Sequence, residues 1–219
     1  MRLDERVEEL RRWLEVAREG LSAEAVHEVR VTGRRLRAFL TLGGHHVLVD
    51  DLRWLVGSLG RLRDLDVALE LPVAAPGPFQ AWLVGQRRAE AENVSRLLEQ
   101  PRVEALVMAL SQVPRVPKRR AHGALVRLDA KLTEAEAAAR REPSIEALHG
   151  LRKAVRRTRY AREWLGEDES ALVRKQSLVG EACDLKLLER LLLEFGHPAA
   201  ARCVERALEV VVPALAAMP

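Results

Sequence analysis

Two stretches of the chain carry the same pattern of basic side chains. Residues 27–37 read HEVRVTGRRLR, and residues 149–159, which lie 122 positions later, read HGLRKAVRRTR. Both fit the pattern HxxRxxxRRxR, in which the histidine and the four arginines coincide. A pattern of this length that recurs in one chain indicates an internal duplication.

A second pair of segments supports a duplication of a whole half of the chain. Residues 59–65, LGRLRDL, resemble residues 179–185, VGEACDL, and the shared Gly60 and Asp64 match Gly180 and Asp184 at an offset of 120. The proline-containing stretch QVPRVP at 112–117 has the composition of a connection between halves. We therefore predict one half over residues 1–112 and the other over residues 118–219.

The composition favours helices over strands. Hydrophobic residues make up 48% of the chain and aromatic residues only 4%, which suits helix packing and is poor for a β-sheet. Apolar periodicity, with Gly and Pro as breaks, predicts a loop at 72–78 and eight helices, with a short further helix from Pro101 to about Leu110 after the fourth. Their approximate bounds are 3–18, 23–42, 48–71, 79–100, 119–141, 144–165, 169–195 and 199–212. The predicted fold class is all-α, with two pseudo-symmetric four-helix bundles that arose by internal duplication.

On a helix, each copy of the repeated pattern forms a single basic face. Arg30, Arg34 and Arg37 fall within about 80° of His27 around the helix axis, along a stripe roughly 15 Å long. The apolar residues of the same segment occupy the opposite arc and are predicted to face the core. We call His27, Arg30, Arg34 and Arg37 the first stripe. The second stripe consists of His149, Arg152, Arg156 and Arg159.

The stripes lack the acidic residues that usually balance such a face. Like charges at helical spacing repel one another, and solvated helix faces normally interleave Glu with Arg. Glu28 is the one acid among residues 27–37, and residues 152–162 contain none. One such helix is compatible with an ordinary solvated surface, but its duplication favours a polyanionic ligand as the source of counter-charge. His27 and His149 are either structural or direct donors to that ligand.

Other basic residues are weaker candidates for the same ligand. The run at the start of the fifth predicted helix is free of acids, and cations at a helix N-terminus oppose the helix dipole, so this run is expected to face an anion. The weaker candidates are Arg61, Arg63, Arg88, Lys118, Arg119 and Arg120.

The sequence argues against an enzyme and against a metal site. Asp64 and Asp66 form a DxD pattern, but residues two apart on a helix point in opposite directions. Asp64 and Asp184 are instead predicted to pair with the basic helices. No phosphate-binding GxxxxGK[ST], nucleophile elbow or HExxH motif occurs. We predict no catalytic residues, no metal and no cofactor.

The cellular compartment is predicted from simple features. Cys183 and Cys203 form no CxxC pair, the N-terminus has no apolar run, and no stretch has the roughly 18 apolar residues of a membrane helix. These features predict a cytoplasmic protein with no membrane association.

The repeated segments resemble a known family. AVHEVRVTGRRLRAFL (25–40) and ALHGLRKAVRRTRYAREWL (147–165) are similar to the two signature helices of the CHAD domain, the conserved histidine α-helical domain. Two further segments resemble sequences typical of the family, namely LGRLRDLDVALEL (59–71) and LLEQPRVEALVMAL (97–110). The resemblance covers nearly the whole chain, and it departs from the family pattern at Thr158, Glu181 and Cys183. The chain would be a stand-alone member, without the triphosphate tunnel domain to which the family is often fused.

The resemblance implies two four-helix bundles with a basic cleft or pore, and binding of inorganic polyphosphate with association with polyphosphate granules. Carried over position by position, the binding residues would be His27, Arg30, Arg34, Arg35, Arg37, His149, Arg152, Lys153, Arg156, Arg157, Arg159 and Tyr160. The alternative function is nucleic-acid binding by the same basic surface, and a metal-dependent phosphohydrolase is a third hypothesis. The preferred polyphosphate length, the oligomeric state and the cellular role stay open at this point.

Overall fold

The computed structural model describes residues 2–71 and 77–216, and these residues form ten α-helices and no strand. The predicted all-α fold is thereby confirmed. Residues 72–76 of the predicted loop lie outside the described residues. The helices are α1 (Leu3–Glu19), α2 (Ala23–Gly43), α3 (His46–Ser58), α4 (Gly60–Glu70), α5 (Pro78–Leu98), α6 (Pro101–Ser111), α7 (Lys118–Arg141), α8 (Ile145–Leu165), α9 (Ser170–Glu194) and α10 (Pro198–Ala216).

Two predicted helix bounds were wrong. The helix predicted over 48–71 is interrupted at Leu59, whose φ of −86° and ψ of 6° end α3 and begin α4. The last helix was predicted to end before Pro213, yet α10 continues through it to Ala216. A proline near a helix end removes only one backbone hydrogen bond, and burial of Val212 and Ala216 offsets that loss.

The chain divides into two compact units, Met1–His122 and Gly123–Pro219. Unit 1 contains α1–α6, and unit 2 contains most of α7 together with α8, α9 and α10. The described part of unit 1 holds six helices, because the third predicted helix is divided at Leu59. The short further helix predicted from Pro101 is confirmed as α6. Every helix in residues 2–71 and 77–216 is too short or too polar to cross a bilayer.

The core of unit 1 forms around α2, which packs against α1 and α3, while α4 packs against α5. Leucines from four helices are fully buried there, namely Leu10, Leu36, Leu52 and Leu62. Within a helix, buried residues recur at helical spacing, as Val7, Leu10, Leu14 and Ala17 do in α1, so the helix turns one apolar stripe inward. Burying one such leucine contributes about 1.5–3 kcal/mol.

The core of unit 2 forms around α9, which packs against α8 and α10. Its buried cluster includes Leu148 and Val155 from α8, Val179 and Ala182 from α9, and Leu208 from α10. The second stripe lies on the same helix as Leu148 and Val155, so packing of their face against α9 fixes the direction in which the stripe points.

The helices that carry the two stripes begin and end with the same signals. The Ser22 hydroxyl accepts a hydrogen bond from Ala25 N–H at the start of α2, and Ser144 accepts one from Ala147 N–H at the start of α8. Each helix ends at a left-handed glycine, Gly44 with φ 74° or Gly166 with φ 73°. Both capping serines and both glycines are 122 positions apart, the same offset as the stripes. Polar N-caps and left-handed glycine C-caps define helix ends locally, so α2 and α8 were correctly predicted.

Candidate anion-binding stripes

The first stripe lies along the outer side of α2. His27 is exposed and the three arginines are half-buried, whereas Val26, Val29 and Leu36 on the opposite face are fully buried. The prediction of a basic face backed by a core face is thereby confirmed for α2. The second stripe has the same arrangement on α8, where Leu148, Leu151 and Val155 are buried.

Arg30 is tied to the neighbouring helices. Its Nη1 donates a hydrogen bond to the carbonyl oxygen of Val56, one of the last carbonyls of α3. These carbonyls have no partner within the helix and carry the negative end of its dipole. A Cβ placed on Gly60, the first residue of α4, would lie 3.5 Å from Arg30 Nη1. The guanidinium of Arg30 thus occupies the junction of α3 and α4.

Arg152 takes a related position in unit 2. A Cβ placed on Gly180 would lie 3.8 Å from Arg152 Nη2, and Arg152 Nη1 lies 4.0 Å from Asp184 Oδ1. The predicted pairing of Asp184 with the basic helix is therefore present as a long ion pair, and the corresponding role of Asp64 stays a prediction. The side chain of Arg152 remains 30% exposed, so it can still reach a ligand in solvent.

Arg159 and Tyr160 are less accessible than the other predicted site residues. The Arg159 side chain is 15% exposed, its Nε lies 4.0 Å from Glu169 Oε2, and its guanidinium lies 4.5 Å from the centre of the Tyr160 ring. Tyr160 itself is only 3% exposed. Its ring is buried and supports Arg159, and its role as a binding residue stays a prediction.

The side chains of both histidines favour the neutral form. Partial desolvation, followed by the charges of Arg63, Arg34 and Arg30, lowers the pKa of His27 below its usual 6.5. The effect of Arg63 shows that α4 brings a further cation close to the first stripe.

The pKa of His149 is lowered by the same kinds of cause. Partial desolvation comes first, followed by the charges of Lys153, Arg152 and Arg156. An imidazole surrounded by cations binds its proton weakly, and an anion placed beside it would reverse that effect.

The weaker candidates occupy varied positions. Arg63 Nη1 lies 3.6 Å from Glu70 Oε1, Arg61 is half-buried, and Arg88 on α5 is exposed. Lys118 and Arg119 are exposed at the start of α7.

Arg120 packs against the end of α2. A Cβ placed on Gly44 would lie only 2.2 Å from Arg120 Nη2. Arg120 is nevertheless exposed, and its binding of an outside anion stays a prediction. Its charge lies beside the carbonyl end of α2, where the dipole of that helix favours a cation.

One charged pair was not recognised from the sequence. Arg87 Nε donates to Asp66 Oδ1 at 2.6 Å, and Arg87 Nη2 donates to the carbonyl of Leu21. The Asp66 side chain is 1% exposed, so this is a buried ion pair between α4 and α5. Its sequence signal was an acid in an apolar helix segment, which indicates pairing. Within residues 2–71 and 77–216, no three His, Cys, Asp or Glu side chains are grouped as metal ligands.

These features define an all-helical protein in which each unit presents a histidine- and arginine-bearing helix face. The CHAD domain family matches residues 1–193, most of the chain, and the chain belongs to that family.

Curated relatives and a solved structure agree with this assignment. Two Mycobacterium tuberculosis proteins, uncharacterized protein MT2285 of strain CDC 1551 / Oshkosh and uncharacterized protein Rv2226 of strain H37Rv, are each 30% identical to the chain. The match covers 83% of this chain and 42% of each relative, so the chain spans less than half of their length. The crystal structure of the CHAD domain from the plant Ricinus communis is similar with a TM-score of 0.74 and 25% identity, covering 99% of this chain and 85% of that one.

Proposed function

We propose that this chain is a non-enzymatic module that binds inorganic polyphosphate through the first and second stripes. The observation that carries the proposal is the recurrence of the same basic residues, on helices with the same caps, in both units. The flanking Arg35, Lys153 and Arg157 add charge beside the stripes. Membership of the CHAD family supports polyphosphate as the particular polyanion.

The chemistry of the stripes suits this ligand. Arginine guanidinium groups form paired hydrogen bonds to phosphate oxygens and keep their charge at every physiological pH. Polyphosphate repeats one unit, so recognition needs regularly spaced cations and no base-specific contacts. We place the protein in the cytoplasm, on polyphosphate granules.

We further propose that the two units arose by duplication of one helical unit and are pseudo-symmetric, each built on a four-helix bundle. The common offset of the stripes, capping serines and C-cap glycines supports this origin. In this interpretation α3 and α4 together correspond to the continuous α9, and α6 has no counterpart among the described residues of unit 2.

A matched pair of charge-reversed proteins tests the proposal. Arg34→Glu with Arg156→Glu reverses one charge in each stripe while leaving the anchored Arg30 in place. We expect polyphosphate affinity to fall roughly 100-fold, since each hydrogen bond to a charged group contributes about 1.5 kcal/mol. Arg96→Glu with Arg202→Glu changes the net charge equally at exposed positions outside the stripes and should bind nearly as the parent does.

Salt dependence and competing ligands complete the test. The logarithm of the binding constant should fall linearly with the logarithm of the salt concentration, because binding releases counterions. Equal losses in the two double variants, or an affinity independent of salt, would contradict the proposal. Tighter binding of DNA or RNA at physiological salt would favour the nucleic-acid alternative, although Trp164 and Tyr160 on α8 are buried and offer no stacking surface. Phosphate release with Mg²⁺, Mn²⁺ or Zn²⁺ would instead indicate a hydrolase.

A further inference from the structure

Unit 2 contains an open cavity of about 470 Å³ among α7, α8, α9 and α10. Its walls are mainly apolar, and two arginines contribute to its lining. The residues that matter here are Leu151, Leu178, Val179, Leu215, Arg140 and Arg174.

The corresponding place in unit 1 is occupied by α6. This helix packs against α1 and α3, and its apolar face is buried. Arg18 on α1 contacts Glu104 of α6 at 2.8 Å. On the other side, Arg102 of α6 contacts Asp51 of α3 at 2.6 Å and lies 4.1 Å from the centre of the Trp54 ring.

The offsets of the repeat relate these two places residue by residue. α1 ends at Glu19 and α7 ends at Arg141, so the offset of 122 makes Arg140 the counterpart of Arg18. The offset of 120 between Gly60 and Gly180 makes Ala171 and Arg174 the counterparts of Asp51 and Trp54.

Burial supports this register. Leu10 and Ala17 are buried in α1, as are their counterparts Leu132 and Ala139 in α7. The residues that contact α6 in unit 1 therefore correspond to residues that line the cavity in unit 2.

The floor of the cavity differs from its counterpart in one informative way. Leu14 and Leu55 are almost completely buried in unit 1. Their counterparts Glu136 and Lys175 form an ion pair at 2.6 Å, with side chains 21% and 23% exposed. A paired charge tolerates water better than two exposed leucines do, so this floor suits a partner that binds and leaves.

The charges at the cavity specify the partner. In unit 1, Asp51 and Trp54 both contact the basic Arg102. Their counterparts in unit 2 are Ala171 and Arg174, so the acid is replaced by alanine and a cation is added. That position of the partner therefore calls for an acid. Where Arg18 meets Glu104, unit 2 presents Arg140, which calls for a second acid two residues later. The apolar positions of the partner are taken from the buried residues of α6, which are Val103, Leu106, Val107 and Leu110.

We propose that this cavity docks an amphipathic helix of a partner polypeptide, with acids at positions i and i+2 and apolar residues at i+1, i+4, i+5 and i+8. The apolar side chains fill the space between α7 and α9, and the acids pair with Arg140 and Arg174. This is the helix-in-groove mode of recognition, in which spaced apolar anchors lie in a groove. The proposal is independent of polyphosphate binding.

A labelled peptide tests the proposal with the full chain. The probe is residues 99–112 carrying Arg102→Glu, compared with the unaltered 99–112 peptide by fluorescence anisotropy. We expect the altered peptide to bind about tenfold more tightly, since it replaces repulsion from Arg174 with attraction. Arg140→Glu with Arg174→Glu in the protein should weaken it about tenfold or more, whereas Arg96→Glu with Arg202→Glu should not.

Further controls decide where the peptide binds. A peptide of the same composition with its apolar spacing scrambled should lose binding, and the Arg34→Glu, Arg156→Glu protein should retain it. Equal binding of the scrambled peptide, or loss of binding in the stripe variant, would place the peptide on the stripes and overturn the proposal. Absence of binding up to about 1 mM would overturn it as well.

Because Arg140 and Arg174 are exposed, circular dichroism is expected to show the parent helix content in their variant. If it does not, Leu178→Ala, which removes one apolar anchor from the cavity wall, takes its place and should weaken the altered peptide. Unchanged binding in that variant would also overturn the proposal.

Discussion

At the scale of single residues, the basic side chains of the repeat do not share one role. Arg30 holds the junction of α3 and α4, and Arg159 is mostly buried beside Glu169 and Tyr160. Lys153 and Arg157 are exposed on α8. Guanidiniums already held by the protein lose less side-chain entropy when a ligand arrives, whereas exposed ones contribute mainly to long-range attraction.

The histidines predict how polyphosphate binding depends on pH. Both have a pKa below 6.5 in the folded protein, and a bound polyanion would raise it, so binding takes up protons. Affinity should therefore increase as pH falls through about 6.5, by up to about tenfold for each pKa unit regained. Calorimetry in buffers of different ionisation enthalpy measures the proton uptake.

The double variant His27→Gln, His149→Gln is the control and should show a flatter pH profile. The same lowered pKa values have the opposite effect on folding, because the unfolded chain binds protons more readily below pH 6.5. Stability from these groups is complete above that pH and declines as pH falls. An affinity that rises with pH would contradict this account.

At the scale of elements, α2 and α8 share their caps and stripes, and each contains an internal glycine at a position that the other helix does not share. A Cβ on Gly33 would lie 2.6 Å from Val56 Cγ2, so α2 and α3 approach closely at that point. Gly150 in α8 has nothing within 4 Å of its added Cβ and is exposed. A glycine is therefore needed at one position for packing, while at the other it only weakens the helix.

The same substitution is expected to act with opposite sign in the two helices. Gly33→Ala should lower the free energy of unfolding by about 1–3 kcal/mol, because the methyl group overpacks the α2–α3 contact. Gly150→Ala should raise it by about 0.5–1 kcal/mol, because alanine has the better helix propensity. Urea denaturation measures both changes. If Gly33→Ala left the free energy of unfolding unchanged, the α2–α3 contact would have relaxed at no cost in stability.

At the scale of the whole molecule, the two units each carry one stripe and differ in what surrounds it. Unit 1 has α6 and a core closed by Leu14 and Leu55, whereas unit 2 has the cavity and the Glu136–Lys175 pair. Under the two proposals, each stripe binds the same kind of ligand, and the cavity of unit 2 binds a different one.

Polyphosphate length should reveal whether one ligand contacts both stripes. Once a chain is long enough to reach both, the second contact becomes intramolecular and the affinity gains roughly 100-fold or more. Either single variant, Arg34→Glu or Arg156→Glu, should remove that gain, so that long chains bind only with the affinity of short chains. Titration of chains of defined length measures it. If the affinity instead rose smoothly with chain length, and did so in both single variants, the stripes would bind separately.

Patterns along the chain predicted which segments are helical, where α2 and α8 begin and end, and which of their faces is basic. These are local properties, because apolar periodicity, serine caps and terminal glycines act within a few residues. The two repeated segments also identified the family, and the family match agrees.

The contacts of each charged residue, in contrast, depend on how the helices pack against one another. Arg30 caps a helix 26 residues away in sequence, Arg87 neutralises Asp66 across two helices, and Tyr160 is buried. The cavity of unit 2 could likewise not be predicted from the sequence, because it depends on how the faces of α7, α8, α9 and α10 are arranged. Charge pairing and burial depend on distances between segments far apart in the chain, and a pattern along one helix does not contain those distances.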